Sequence, residues 1–280
     1  MRLVSMNAGS QQLYSELLEY SRPTLKEFLK NFPLYPGQLS WDEEMNSSCI
    51  SLMYDSQRHQ NSFLPRQDFW PSIQGLKVSC TSCWKFYLNP RNNSIKYLDI
   101  RLGKNFEQVF MGFLKSRGLE TTRGDVERKN YPDILVLGRN DQPACYLELK
   151  YLTAPFVKIF QFVAGRECYE GSTTIDTGAK ILSQRKIVEN EITVPVFYVY
   201  WLDYPCIKGV FHMESSKVYE YIDSVQGTEW VRKERTGDSV TTTQGKLKIA
   251  QLNKAYLPLL YMGNFKELFN KIQQTVSDKS

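Results

Sequence analysis

Residues 131–152 read YPDILVLGRNDQPACYLELKYL, two apolar runs at 134–137 and 144–149 on either side of GRNDQP. Val, Ile, Leu and Tyr favour half-buried pleated chain, and Gly, Asn, Asp and Pro in the gap favour chain reversal. The segment is therefore expected to be an antiparallel hairpin turning between Asn140 and Asp141, which sets Asp133 opposite Glu148. A two-residue slip would offer Lys150 or Tyr146 instead, with the polar side chains still gathered at one end. Alternation along the strand puts Glu148 and Lys150 on one face and Leu149 on the other.

Two carboxylates and an ammonium at the rim of an apolar pair define a chemistry. Carboxylates held that close repel one another, and hard oxygen ligands suit Mg²⁺ better than Zn²⁺. A bound divalent ion polarises a phosphoryl oxygen and acidifies a coordinated water, while the ammonium orients that water or neutralises developing charge. The expected reaction is phosphodiester hydrolysis.

Outward from the hairpin, GKNFEQVFMGFLKSRG (103–118) places Phe106, Val109, Phe110, Phe113 and Leu114 on one helical face, closed by Gly118. Helical spacing also marks 178–190, and VPVFYVYWL (194–202) has the Val and aromatic content of a buried strand. Upstream, 10–32 reads as a pair of helices divided near Ser21 and Pro23. Loops are expected over 33–75, with its four prolines, and short strands over 76–101. A helix, strands, a second helix and a further strand predict an α/β fold, a mixed sheet with helices on both faces.

The chain of 280 residues can bury a sizeable core, and ordinary apolar and charged fractions exclude collagen, a disordered tail and a disulfide scaffold. No apolar run reaches membrane-spanning length, and the first residues lack the apolar stretch of a secretory signal, so a cytoplasmic protein without membrane contact is expected. In that compartment the six cysteines read as thiols or metal ligands. Net charge is +5, and 51–100, 101–190 and 227–254 each carry an excess of +3, compatible with several surfaces meeting one phosphate backbone or with ordinary surface variation.

Pro132–Asp133, fourteen residues, then Glu148–Leu149–Lys150 resembles the PD-(D/E)xK signature of the restriction-endonuclease-like nucleases. The resemblance implies an αβββαβ core over roughly 103–202, with a mixed central sheet flanked by helices. It implies Mg²⁺, replaceable by Mn²⁺, on Asp133, Glu148 and the Leu149 carbonyl, with Lys150 as the catalytic ammonium. Members often present a further glutamate from the preceding helix, and Glu107 is similarly placed. They also commonly place Gln or Lys on the helix after the ExK strand, and Gln184 fits that position. On this basis 1–100 is an N-terminal recognition or dimerisation region, 101–205 the catalytic core and 206–280 a C-terminal elaboration.

The implied activity is that of an endonuclease on double-stranded DNA, most like a type II restriction enzyme acting as a homodimer on a palindrome. A structure-specific repair, recombination or mobile-element nuclease shares the same core, and a catalytically dead DNA-binding module is the non-enzymatic alternative. Phosphate contacts are expected from Arg123, Arg128 and Lys129 just before the motif, from Arg185, and from Lys246 and Lys248 in the basic segment 229–254, which carries a candidate hairpin at TTTQGK. A solvated hairpin is the alternative for that segment. Cys80 and Cys83 form a CxxC half-site for structural Zn²⁺, with Cys49 and His59 as irregularly spaced partners; unrelated buried thiols are the alternative. Zinc-protease, serine-hydrolase and phosphate-loop motifs are absent.

Overall fold

The computed structural model of the chain describes residues 2–30, 96–128, 130–152, 173–203, 208–224, 230–231, 239–248, 253–257 and 262–278. Cys49, His59, Cys80, Cys83 and Lys129, together with the loops expected over 33–75 and the strands expected before residue 96, lie outside the described residues.

Two helices come first. Helix α1 (Arg2–Lys30) is continuous through Pro23, so the expected break into two helices is corrected. A proline removes the hydrogen bond to the carbonyl four residues back, here that of Glu19. Both Glu19 and Pro23 are exposed, while Leu13, Tyr14, Leu17, Leu18 and Leu25 bury along the other side and hold the two halves on one axis. Helix α2 (Lys96–Ser116) starts earlier than its apolar stripe suggests, and the strand expected at its beginning is helical. The apolar positions there do not mark a sheet face; Ile100 is 50% exposed. Gly118, with φ of 78°, ends the helix in the left-handed region. Its N–H donates to the Lys115 carbonyl at 2.9 Å and that of Leu119 to the Leu114 carbonyl at 3.1 Å, the paired bonds of a Schellman stop.

Strands β1 (Thr121–Arg123), β2 (Ile134–Leu137) and β3 (Pro143–Leu152) follow in an antiparallel run. The β2–β3 register pairs Ile134 with Leu147 and Val136 with Cys145, which continues to Asp133 opposite Glu148 as expected. A short 3₁₀ turn at Arg139–Asp141 reverses the chain, with Asn140 and Asp141 both at positive φ and a bulge beside Leu137. After β4 (Thr174–Asp176), helix α3 (Ala179–Asn190) carries the chain across to β5 (Val196–Asp203), which lies parallel to β3. Strand β6 (Lys208–Glu214), helix α4 (Ser215–Ser224), short strand β7 (Trp230–Val231), hairpin β8 (Ser239–Thr242) with β9 (Gly245–Lys248), β10 (Asn253–Tyr256), β11 (Gly263–Asn264) and helix α5 (Phe265–Asp278) complete the chain.

The main sheet has the order β1-β2-β3-β5-β6-β11, mixed because β3 and β5 alone run parallel. Strands β6 and β11 thus add residues beyond 205 to the sheet that carries the motif. One face packs on α1, α2 and α5: Phe106 meets Trp201 edge-on at 4.9 Å, and Phe110 and Phe113 lie against Phe265. Each fully buried side chain of this size contributes about 2 kcal/mol of transfer free energy. The other face, bearing Glu148, Lys150, Tyr198 and Tyr200, is covered by α3 and α4. A capping box secures α5. The Asn264 side chain accepts from the Glu267 N–H at 2.9 Å, the Glu267 carboxylate accepts from the Asn264 N–H at 2.9 Å, and Ser10 of α1 donates to Asn264 at 2.7 Å. Strands β4, β10 and β7 form a separate small sheet, and β8–β9 is the hairpin expected at TTTQGK. Among the described residues no helix is long and apolar enough to cross a membrane.

Candidate active site

Asp133 stands immediately before β2, held by backbone on both sides. The Gly124 N–H donates to the Asp133 carbonyl at 2.9 Å, closing the loop between β1 and β2. A Cβ on Gly124 would lie 1.9 Å from the Pro132 carbonyl oxygen, so only glycine permits this approach. On the β3 side, the Leu149 N–H donates to Asp133 Oδ2 at 2.9 Å. The middle residue of the Glu148–Leu149–Lys150 segment, expected to offer its carbonyl, thereby fixes the first carboxylate against the second.

Glu148 is 2% exposed, and its carboxylate is met by three donors or cations. Lys150 Nζ donates to Oε1 at 3.0 Å, Gln184 Nε2 donates to Oε2 at 2.7 Å, and Lys180 Nζ lies 3.8 Å from Oε1. Burial pushes the Glu148 carboxyl up, but Lys150, Lys180 and the two hydrogen bonds outweigh it, so the group is held below its ordinary value. Lys150 shows the reverse balance. Burial favours its neutral form, yet Glu148 and further negative partners hold the ammonium above its usual range.

Burial first, then Glu148 and Glu107, raise Asp133 well above the ordinary carboxyl value, against the opposing pull of Lys150 and Lys180. Glu107 on α2 is raised by burial, opposed chiefly by Arg123, and raised further by Glu148. Glu107, Asp133 and Glu148 therefore share one electrostatic field, with Lys150 and Lys180 inside it. Three hard-oxygen groups that disfavour one another's charge are a donor set suited in kind to Mg²⁺ or Mn²⁺. Among the described residues no three His, Cys, Asp or Glu side chains stand at metal-ligating separation. Glu148 is instead turned into Lys150 and Gln184, and Asp133 into the Leu149 amide.

Gln184, 2% exposed on α3, reaches the Glu148 carboxylate, and two residues that no motif marks stand with it. Lys180 lies one helical turn earlier on the same face, a spacing visible in AKILSQ once Gln184 is placed. Tyr198 sits beside Glu148 across the parallel β3–β5 ladder and donates to Gln184 Oε1 at 2.6 Å. No local pattern marks it, since VPVFYVYWL reads as continuous core.

The expected phosphate contacts are distributed unevenly. Arg123, at the end of β1 opposite Ile134, is exposed and acts on Glu107, so it borders the site. Arg128 pairs with Glu191 at 2.6 Å and lies over the Tyr131 ring. Arg185 binds Asp223 through two bonds of 2.7 and 2.9 Å and Glu189 at 2.7 Å, a tie between α3 and α4. Lys246 and Lys248 lie on β9, where Lys246 and the neighbouring Leu247 are exposed. No protein-family model and no curated protein matches the chain.

Proposed function

We propose that this protein is a metal-dependent endonuclease that hydrolyses phosphodiester bonds in double-stranded DNA. The observation that carries the proposal is the locking of Asp133 onto the Leu149 amide, beside a Glu148 carboxylate bonded to Lys150 and sharing its field with Glu107. Over 96–203, helix α2, the antiparallel strands β1, β2 and β3, then, after β4 of the small sheet, helix α3 and the parallel strand β5 support reading the core as restriction-endonuclease-like.

Glu107, Asp133, Glu148 and the Leu149 carbonyl would hold Mg²⁺ or Mn²⁺, which when bound supplies Lewis-acid polarisation and a water acidified toward neutral pH. The protein's own groups do the rest. Lys150, kept charged by Glu148, neutralises negative charge that builds on the phosphoryl oxygens. Lys180, with 54% of its side chain exposed, stands where an incoming phosphate can meet it. Gln184 keeps Glu148 aimed from the buried side. Arg123 at the border and the β9 lysines are the surfaces assigned to the DNA backbone.

The test is supercoiled plasmid incubated with the purified protein and Mg²⁺ or Mn²⁺. Nicking or linearisation that chelator abolishes is expected, and intact plasmid across both metals would overturn the proposal. Discrete fragments from a palindromic site are the expected pattern for a restriction-type dimer. Selective cutting of junctions or flaps would assign the same chemistry to a structure-specific nuclease.

A further inference from the structure

Lys150 Nζ donates to Glu148 Oε1 at 3.0 Å and Gln184 Nε2 donates to Oε2 at 2.7 Å, so the end of the Gln184 amide that faces this carboxyl group is the NH₂. Gln184 Oε1 then faces Tyr198, whose hydroxyl, at 2.6 Å, must be the donor. Having spent its proton on Gln184, the Tyr198 oxygen is left to accept from the Tyr219 hydroxyl 3.3 Å away. The whole chain of hydrogen bonds therefore runs one way, from Tyr219 to Tyr198 to Gln184 to Glu148. Reversing the amide would set Gln184 Oε1 against a carboxylate oxygen.

We infer that Tyr198 is a positioning residue for Glu148, acting through Gln184, whose amide it holds in the one orientation that donates to the carboxylate. The inference rests on the nuclease reading only for its effect on cleavage; the orientation of the amide is independent of it. All four groups are at least nearly buried, so water cannot readily substitute for a lost donor. Tyr219 lies on α4, which Arg185 ties to α3 through Asp223, so the relay is anchored outside the sheet.

The test uses the full chain with Tyr198→Phe, Gln184→Ala, the double variant and Tyr219→Phe. Phenylalanine keeps the edge-on ring contact between positions 198 and 219, observed at 6.1 Å and 83°, and removes only the hydroxyl. In ¹⁵N–¹H spectra the side-chain NH₂ of Gln184, identified by its disappearance in Gln184→Ala, is expected to be well dispersed and slow to exchange. In Tyr198→Phe it should move toward the free-amide position and exchange roughly tenfold faster or more, with a smaller change in Tyr219→Phe. Cleavage by Tyr198→Phe should fall roughly tenfold in kcat with KM for DNA unchanged, and the double variant should be no slower than Gln184→Ala alone.

An unchanged Gln184 amide signal in Tyr198→Phe, or multiplicative losses in the double variant, would overturn the inference. Should Tyr198→Phe not fold, an unperturbed amide in Tyr219→Phe would overturn it equally. A shifted amide in a wild-type protein that never cuts DNA would sink the nuclease reading and leave the positioning role standing.

Discussion

Burial and the neighbouring carboxylates of Glu148 and Glu107 both disfavour charge on Asp133, and the pull of Lys150 and Lys180 does not offset them. The folded protein therefore binds a proton at Asp133 more tightly than the unfolded chain does. That stabilisation is complete below the ordinary carboxyl value and is lost as pH rises through the raised folded value. Asp133→Asn removes the charge and keeps an oxygen for the Leu149 N–H. In metal-free protein at pH 8 it should raise the melting temperature by roughly 2–4 °C, with no gain at pH 3, while cleavage is abolished. Scanning calorimetry at both pH values, with plasmid cleavage alongside, checks this. Lower stability at pH 8 would mean that the Asp133 charge is welcomed by its surroundings.

At the level of elements, the site depends on the backbone bond from Gly124 to Asp133 that closes the loop between β1 and β2. Gly124 makes this possible, because its missing Cβ is what lets the Pro132 carbonyl approach. In Gly124→Ala the contact must open, and the Gly124–Asp133 backbone bond and the aim of Asp133 go with it. We expect a loss of about 2 kcal/mol or more in urea denaturation. Cleavage should fall further than the remaining folded fraction accounts for. A variant with wild-type stability and rate would show that the loop does not position Asp133. The α5 cap illustrates the same dependence of one element on another, since Asn264 serves its own helix and Ser10 of α1 together.

Across the whole molecule, pH acts most plainly through His212. It is 3% exposed on β6, facing Gly263 of β11, with the Phe197 ring, Lys271 of α5 and Glu214 of its own strand around it. Burial and Lys271 push its value down to about 4, against the ordinary 6.5. A histidine depressed in this way leaves stability intact above the unfolded value and removes it as pH falls through the window from 6.5 to 4. The total is about 3 kcal/mol. Urea midpoints between pH 7 and pH 4 should therefore drop, and His212→Gln should flatten that slope; an equal slope in the variant would assign the acid sensitivity to other groups.

What the sequence determined by itself is what neighbouring residues decide. The turn chemistry of GRNDQP, the two-residue period around it and the stripe from Phe106 to Leu114 specify the β2–β3 register, the body of α2 and the pairing of Asp133 with the Glu148–Lys150 segment. Gly245 likewise closes β8–β9 within a few residues of its partners. Tertiary structure decided whatever compares distant surfaces. Whether α1 breaks at Pro23 depends on which side of the helix packs. Whether Arg185 is available to a phosphate depends on Asp223, thirty-eight residues away. Tyr198 becomes part of the site only because β5 returns parallel to β3 and sets it beside Glu148 under α3. Hydrophobic periodicity marks such a residue as buried and is silent about its hydroxyl, because the partner of a buried polar group is chosen by the packing of the whole molecule.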